Sequence, residues 1–137
     1  MILVSACLLG EKCRFDGQGK NSPKISQFLE GKAYVGVCPE VAGGLGTPRP
    51  PAEIVGERVL RADGTDVTRA FKTGVDLTLK IVDEFQIDQA VLKARSPSCG
   101  CGKIYNGEFS RTLIDGDGLL TQALKARQIY CQTEDEF

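Results

Sequence analysis

Residues 1–10 read MILVSACLLG and are almost entirely apolar. The apolar run stops at the charged pair Glu11-Lys12, so it is too short to span a membrane, and it lacks the basic front end of a signal peptide. We therefore interpret Met1–Ala6 as a buried first strand that runs directly into Cys7. On the same grounds we expect the protein to stay in the cytoplasm.

Strand-like and helix-like segments alternate through the rest of the chain. The further predicted strands are Ala33–Val37, Gln89–Lys93 and Gln128–Gln132, and the predicted helices run from Ser22 to about Leu29, from Val67 to Phe85 and from Leu119 to Ala126. The central helix is the clearest, because Phe71, Val75 and Val82 recur at helical spacing. Asp66 or Thr68 could cap its start. Strands separated by helices imply βαβ units and a parallel sheet.

The chain has 137 residues, which fits a single domain over residues 1–137. We predict an α/β fold, namely a three-layer Rossmann-like domain with a mostly parallel sheet of about four strands. A small hairpin excursion is expected near Pro50–Thr65. Asn106-Gly107 lies between the short apolar runs of Ile104–Ile114 and is a second hairpin signal. The stretch Val41–Pro51, rich in glycine and proline, is predicted to be a loop.

The composition excludes several classes of function. The formal net charge is -1, so charge gives no case for binding nucleic acid or an anionic membrane. The chain has six cysteines and no histidine, which removes Cys–His catalysis, histidine bases and His-containing zinc sites. Six cysteines in a cytoplasmic protein indicate metal binding or redox chemistry rather than a disulfide framework. Thiolates favour zinc, Cu(I) or iron–sulfur clusters. The oligomeric state stays open.

Three cysteines follow the ends of three predicted strands. Cys7 follows the first strand, Cys38 the second and Cys99 the third. In an open parallel sheet these carboxyl ends lie at one edge, where ligand sites form. We therefore expect Cys7, Cys38 and Cys99 to meet in space. Three thiolates leave one coordination position open, which is typical of a reactive rather than a structural metal site.

The other cysteines have less definite roles. Cys13 follows Cys7 by six residues in a flexible loop and could be a further ligand, a persulfide carrier or a free thiol. Cys101 could be a further ligand, a resolving thiol or incidental. Cys131 lies on the last predicted strand and is interpreted as a small buried hydrophobe.

Several motifs, in the same order along the chain, resemble one known family. The motifs are Val4-Ser5-Ala6-Cys7-Leu8-Leu9-Gly10, Cys13-Arg14-Phe15-Asp16-Gly17, Cys38-Pro39-Glu40 and Lys93-Ala94-Arg95-Ser96-Pro97-Ser98-Cys99-Gly100. They resemble the bacterial domain of unknown function 523 family (YbbK-like), which includes the thiouracil desulfurases. The resemblance covers nearly the whole chain.

This resemblance implies an enzyme that desulfurates a thiolated nucleobase or a related small thiocarbonyl compound. It implies a four-iron four-sulfur cluster with Cys7, Cys38 and Cys99 as ligands and one open iron, and we expect such a cluster to be sensitive to air. The catalytic carboxylate of the family falls on Glu40 and its catalytic serine on Ser96. The residues themselves also allow Glu40 to be a surface carboxylate or a helix N-cap partner, and Ser96 to have a turn or capping role.

Two other functions remain open at this point. The first is a cysteine-based sulfur carrier or persulfide enzyme without a cluster. The second is a non-catalytic zinc-binding module, with four ligands drawn from Cys7, Cys13, Cys38 and either Cys99 or Cys101. For any of these functions, Lys93, Arg95 and Arg49 could line the pocket and neutralise an anionic group, or they could be solvated charges.

Overall fold

A computed structural model describes residues 1–137 and contains four helices and eight strands. The strands are β1 (Ile2–Ser5), β2 (Tyr34–Val37), β3 (Ala52–Val55), β4 (Arg58–Arg61), β5 (Gln89–Leu92), β6 (Lys103–Tyr105), β7 (Leu113–Asp115) and β8 (Tyr130–Thr133). The helices are α1 (Pro23–Leu29), α2 (Pro39–Ala42), α3 (Thr68–Glu84) and α4 (Leu119–Ala126), and 3-10 turns cover Ala6–Leu9 and Glu134–Glu136. No helix is both long enough and apolar enough to cross a membrane.

The central sheet has four parallel strands in the order β2-β1-β5-β8. The register places Val4 of β1 between Gly36 of β2 and Val91 of β5. Every carboxyl end of these strands therefore lies at the same edge of the sheet. The predicted α/β fold with about four parallel strands is confirmed.

The alternation of side chains along β1 divides the core into two layers. Ile2 and Val4 pack with Ile25 and Leu29 of α1 on one face of the sheet. Leu3 points to the other face, where it packs against buried residues of α3 and α4. The sheet is thus covered by helices on both faces, which is the predicted three-layer arrangement.

The start of α3 and the start of β8 differ from the sequence prediction by small, explicable shifts. Val67 precedes α3 without a side-chain cap, and Asp66 accepts a hydrogen bond from the Thr68 amide instead. After α4, the amide of Gln128 bonds the carbonyl of Lys125, and the next amide, of Ile129, bonds that of Leu124. These two bonds are a Schellman cap. Residues 128 and 129 therefore belong to the cap that follows α4, and β8 begins at residue 130 and not at residue 128.

Both predicted hairpins form, but the second has a wider turn than its sequence suggests. Strands β3 and β4 pair antiparallel within the expected excursion. Strands β6 and β7 also pair antiparallel, yet Asn106-Gly107 is only the start of the connection over 106–112. The Glu53 carboxylate accepts hydrogen bonds from the amides of Gly107 and Phe109, at 2.9 Å and 3.3 Å. This contact with the first hairpin holds the wider loop.

The prediction that all of Val41–Pro51 is a loop is wrong at its beginning, because α2 extends to Ala42. Pro39 occupies the first helical position after Cys38, which suits its fixed backbone angle. The short helix packs closely on α3: a Cβ at Gly74 would lie 1.8 Å from the Pro39 carbonyl oxygen. Only glycine allows this approach.

Candidate active site

One cavity of about 640 Å³ lies at the edge formed by the carboxyl ends of the parallel strands. Cys7 reaches it from the 3-10 turn after β1, Cys38 from the junction of β2 and α2, and Cys99 from the loop after β5. All three cysteines line this cavity. The structure therefore brings together the three residues whose convergence the strand polarity predicts.

The loop that carries Cys99 is held by the first turn of α4. The first amides of α4, from Leu119 and Leu120, bond the carbonyls of Pro97 and Ser98. These are amides that a helix cannot satisfy internally. Thr121 Oγ1 also donates to the Cys99 carbonyl at 2.9 Å. Cys99 is consequently fixed against a helix, although it follows a loop in the sequence.

Cys13 is a fourth thiol on the cavity wall, and it is buried. Its carbonyl oxygen accepts hydrogen bonds from Arg49 Nη2 at 3.0 Å and from Cys38 Sγ at 3.7 Å. The Cys38 thiol lowers the pKa of Cys13, but the Cys7 thiol and burial together raise that pKa to about 11. Cys13 is therefore a protonated thiol at neutral pH, in contact with two of the three converging cysteines.

Two of those three cysteines also have raised pKa values. The contact with Cys13, followed by burial, raises the pKa of the Cys38 thiol well above its ordinary range. Burial raises the pKa of the Cys99 thiol to about 12, although hydrogen bonds from Ser5 and Ser98 oppose the rise. Because thiolates rather than thiols ligate metals, binding of a metal group here has to release these protons.

Glu40 lies in the same cavity, and both of its carboxylate oxygens have partners. Arg49 reaches Oε1 with Nε at 3.2 Å and with Nη2 at 3.1 Å. Ser98 Oγ donates to Oε2 at 2.9 Å. Arg49 is buried, so this ion pair is shielded from solvent. Glu40 is thus a fixed carboxylate on the cavity wall and not a freely solvated surface group.

Ser96 also lines the cavity, two residues before Ser98. Its hydroxyl oxygen accepts hydrogen bonds from the amides of Ser98 and Cys99, at 3.1 Å and 3.0 Å. The Ser96 and Ser98 hydroxyls are 3.0 Å apart. A continuous chain of hydrogen-bonding oxygens therefore leads from Ser96 through Ser98 to Glu40. Ser96 has the turn role that its motif allows, and it also ends this chain.

Cys101 and Cys131 lie together outside the cavity lining. Cys101 Sγ is 3.6 Å from the carbonyl oxygen of Cys131 on β8. Burial is the main cause of the raised pKa of both thiols, which for Cys131 reaches about 12. The structure therefore separates Cys101 from the other candidate ligands.

Some cavity residues escaped the sequence analysis. Ser98 is one of them: it belongs to Ser-Pro-Ser-Cys together with Ser96, and only the spatial position of Glu40 distinguishes the two serines. Tyr105 and Phe109 reach the cavity from the β6–β7 hairpin, which no local pattern connects with the cysteines. By contrast, Arg49, Lys93 and Arg95 line the cavity as considered from the sequence.

The positions of the donor atoms bear on the zinc hypothesis. No three His, Cys, Asp or Glu side chains are close enough together to share one metal ion. Thiolates on one zinc ion sit about 2.3 Å from it, so they must crowd together. The thiols of Cys7, Cys38 and Cys99 line one cavity of about 640 Å³. Soft thiolate donors of this kind suit an iron–sulfur cluster.

The fold and the site together define a small α/β protein with a cysteine-lined pocket at the strand ends, and comparison with known proteins identifies the family. The profile of the 2-thiouracil desulfurase family matches residues 2–136. The uncharacterized protein YbbK of Bacillus subtilis (strain 168) is 40% identical over 146 residues, covering 99% of this chain and 97% of YbbK. The chain belongs to the 2-thiouracil desulfurase family and is a desulfurase.

A solved structure agrees with this assignment. The chain superposes on the [4Fe-4S]-dependent thiouracil desulfidase TudS with a TM-score of 0.92 and 46% sequence identity. The match covers 99% of this chain and 91% of TudS. The family resemblance expected from the sequence motifs is confirmed.

Proposed function

We propose that this protein replaces the sulfur of a thiolated nucleobase, such as thiouracil, with oxygen from water, using a four-iron four-sulfur cluster held by Cys7, Cys38 and Cys99. The observation that carries the proposal is the meeting of these three cysteines with Glu40 in one cavity. The cluster dependence of TudS, a close structural match, supports the choice of cofactor. A cytoplasmic location remains the expectation.

The net reaction converts a carbon–sulfur double bond and water into a carbon–oxygen double bond and hydrogen sulfide. When bound, the cluster supplies a soft iron that accepts sulfur. The protein has to take a proton from the attacking water, and no histidine is present to do so. The cavity contains two carboxylates, Glu40 and Glu53. Because Glu53 accepts the amides of Gly107 and Phe109, we assign the role of general base to Glu40.

The two serines connect Glu40 to the reacting groups. Ser98 lies between Ser96 and Glu40, with oxygen–oxygen separations of 3.0 Å and 2.9 Å. Ser98 lines the cavity and accepts a hydrogen bond from Ser96 alone, so its oxygen can take a proton from the attacking water while it passes its own proton to Glu40 Oε2. Arg49 holds Oε1, so Oε2 is the oxygen presented to the relay. In this proposal Ser96 contacts the substrate and Ser98 transmits the proton.

The test is sulfide release by the anaerobically purified protein, supplied with 2-thiouracil. We expect sulfide and uracil in equal amounts, and no turnover after a chelator removes the iron. The matched variant is Glu40→Gln, which retains the size of the side chain. Loss of the base should lower kcat by about 100-fold or more at unchanged iron content. A fully loaded protein that releases no sulfide from any thiolated pyrimidine would refute the proposal.

A further inference from the structure

The C-terminal turn is attached to the wall of the cavity. Glu134 Oε1 accepts a hydrogen bond from the Ala94 amide at 2.6 Å, and Glu134 Oε2 lies 2.7 Å from Lys93 Nζ. The next residue, Asp135, bonds Arg95 at 2.6 Å. Lys93, Ala94 and Arg95 all line the cavity. The acidic residues Glu134 and Asp135 therefore hold three consecutive cavity residues.

The turn itself is well anchored. Thr133 and Glu136 form a capping box around it. The ring of Phe137 packs edge-on against Phe28 of α1, with centroids 5.0 Å apart. Glu134 is consequently a fixed partner for Lys93 and not a mobile terminal carboxylate.

Lys93 and Glu134 form a buried ion pair, with side chains only 14% and 10% exposed. Glu134 Oε2 accepts no hydrogen bond of good angle, so charge rather than an aligned N–H holds the pair. The Lys93 ammonium donates one hydrogen bond within the protein, to the Ala94 carbonyl at 3.3 Å. An ammonium has three donors. The Lys93 ammonium therefore has N–H groups that donate no hydrogen bond within the protein.

Comparison with the other cations that line the cavity singles out Lys93. Arg49 donates to Glu40, Gly46, Thr47 and Cys13. Arg95 is more exposed, at 37%, and its partner Asp135 is exposed at 55%. The side chain of Arg14 is 26% exposed, and Lys20 and Arg111 are exposed residues. Lys93 is the cavity cation that is both mostly buried and incompletely bonded.

Lys93 is also connected to the cysteine end of the cavity. Its amide donates to Ser5 Oγ at 2.9 Å. Ser5 lines the cavity together with Cys7 and Cys99. A thiolated ring bound with its sulfur toward the cysteines would therefore share the cavity with the Lys93 side chain.

We propose that Lys93 is a substrate-binding residue whose ammonium donates to the ring carbonyl oxygen of the thiolated pyrimidine, and that Glu134 positions it. This inference rests on the proposed function, because an oxo-thiopyrimidine has one carbonyl oxygen in addition to its sulfur. It adds a residue that recognises the substrate, Lys93, and a residue of the C-terminal turn that positions it, Glu134.

The experiment compares Lys93→Met, Lys93→Arg and Glu134→Gln with the wild type as anaerobic, iron-loaded proteins. The affinity for uracil is measured by calorimetry, and kcat and KM are measured for thiouracil desulfuration. A hydrogen bond from a charged donor corresponds to about a 10- to 100-fold change in affinity. We expect Lys93→Met to weaken uracil binding and raise KM by that factor, with a much smaller effect on kcat. Lys93→Arg should restore part of the loss, and Glu134→Gln should fall between Lys93→Met and wild type.

Lys103→Met is the matched control, since Lys103 also pairs with a carboxylate, Asp115, but is 60% exposed and outside the cavity. It should leave uracil binding and KM unchanged. If Lys93→Met fails to load iron, Lys93→Arg and Glu134→Gln still test the proposal. Uracil binding and KM within twofold of wild type in the loaded Lys93 variants would overturn it. Uracil binding needs no turnover, so this failure is distinct from a failure to desulfurate.

Discussion

Ser96 and Ser98 belong to one four-residue motif, yet their hydroxyl groups have different partners. The Ser96 hydroxyl accepts hydrogen bonds from two backbone amides and so shapes the loop that carries Cys99. Ser98 is 1% exposed and bonds the Glu40 carboxylate. The motif makes both residues visible in the sequence, but the division of roles depends on Glu40, which is 58 residues from Ser98 in the chain. Local pattern alone could not assign it.

Replacing each serine with alanine should therefore have a different effect. Ser98→Ala removes the link to Glu40 from a well-packed position, and we expect kcat to fall about 10- to 100-fold while iron content and melting temperature stay close to wild type. Ser96→Ala leaves two amides without an acceptor and should cost about 1–3 kcal/mol of stability and some iron occupancy in addition to activity. Unchanged kcat in Ser98→Ala would exclude the relay.

At the scale of elements, α2 determines where Cys38 and Glu40 lie. This four-residue helix rests on α3 through two glycines: a Cβ at Gly43 would be 1.9 Å from the Ala70 carbonyl oxygen, and one at Gly74 would be 1.8 Å from that of Pro39. The sequence predicts α3 from its apolar spacing, and Gly74 lies on its buried side. It does not reveal which backbone approaches Gly74, because that contact is between residues far apart in the chain.

Gly74→Ala tests this contact. Alanine is about 1 kcal/mol better than glycine inside a helix. The clash with backbone should outweigh that gain, because overpacking costs about 1–3 kcal/mol and α2 has to move away. We expect a lower melting temperature and a lower iron content. Gly46→Ala is the control, since a Cβ there meets nothing within 4 Å. Equal iron content in the two variants would contradict a positioning role for this packing.

For the whole molecule, strand polarity carries most of what the sequence can predict. Hydrophobic runs at Ile2–Ser5 and Gln89–Leu92 indicate buried strands, and parallel strands place Cys7 and Cys99 at one edge. The lining from the β6–β7 hairpin and the attachment of the C-terminal turn could not be predicted in this way. Both depend on long-range contacts, such as Glu53 to Gly107 and Glu134 to Ala94.

The partly buried thiol of Cys131 should make global stability depend on pH. Burial raises its pKa from 9.0 to about 12. Below pH 9 the thiol is protonated in both the folded and the unfolded chain, so its stabilisation is complete. Above that pH the unfolded chain loses the proton first, and stability falls until the folded pKa is reached.

Thermal melts of wild type and Cys131→Ala, under reducing conditions, measure this effect. The difference in melting temperature by which wild type exceeds the variant should decrease as the pH rises from about 8 to about 11. The comparison cancels the titration of lysine and tyrosine side chains, which the two proteins share. A difference in melting temperature that does not vary with pH would show that Cys131 is not protected from ionisation in the folded state.

Iron and sulfide analysis of anaerobically purified cysteine variants tests the central claim most directly. Cys7→Ser, Cys38→Ser and Cys99→Ser, singly and together, each remove one or more of the three proposed ligands, whereas Cys101→Ser and Cys131→Ser change thiols outside the cavity. We predict about four iron and four sulfide per chain in wild type and in the two outer variants. We predict reduced content in each single ligand variant and none in the triple variant. Full iron and sulfide in the triple variant would contradict the account.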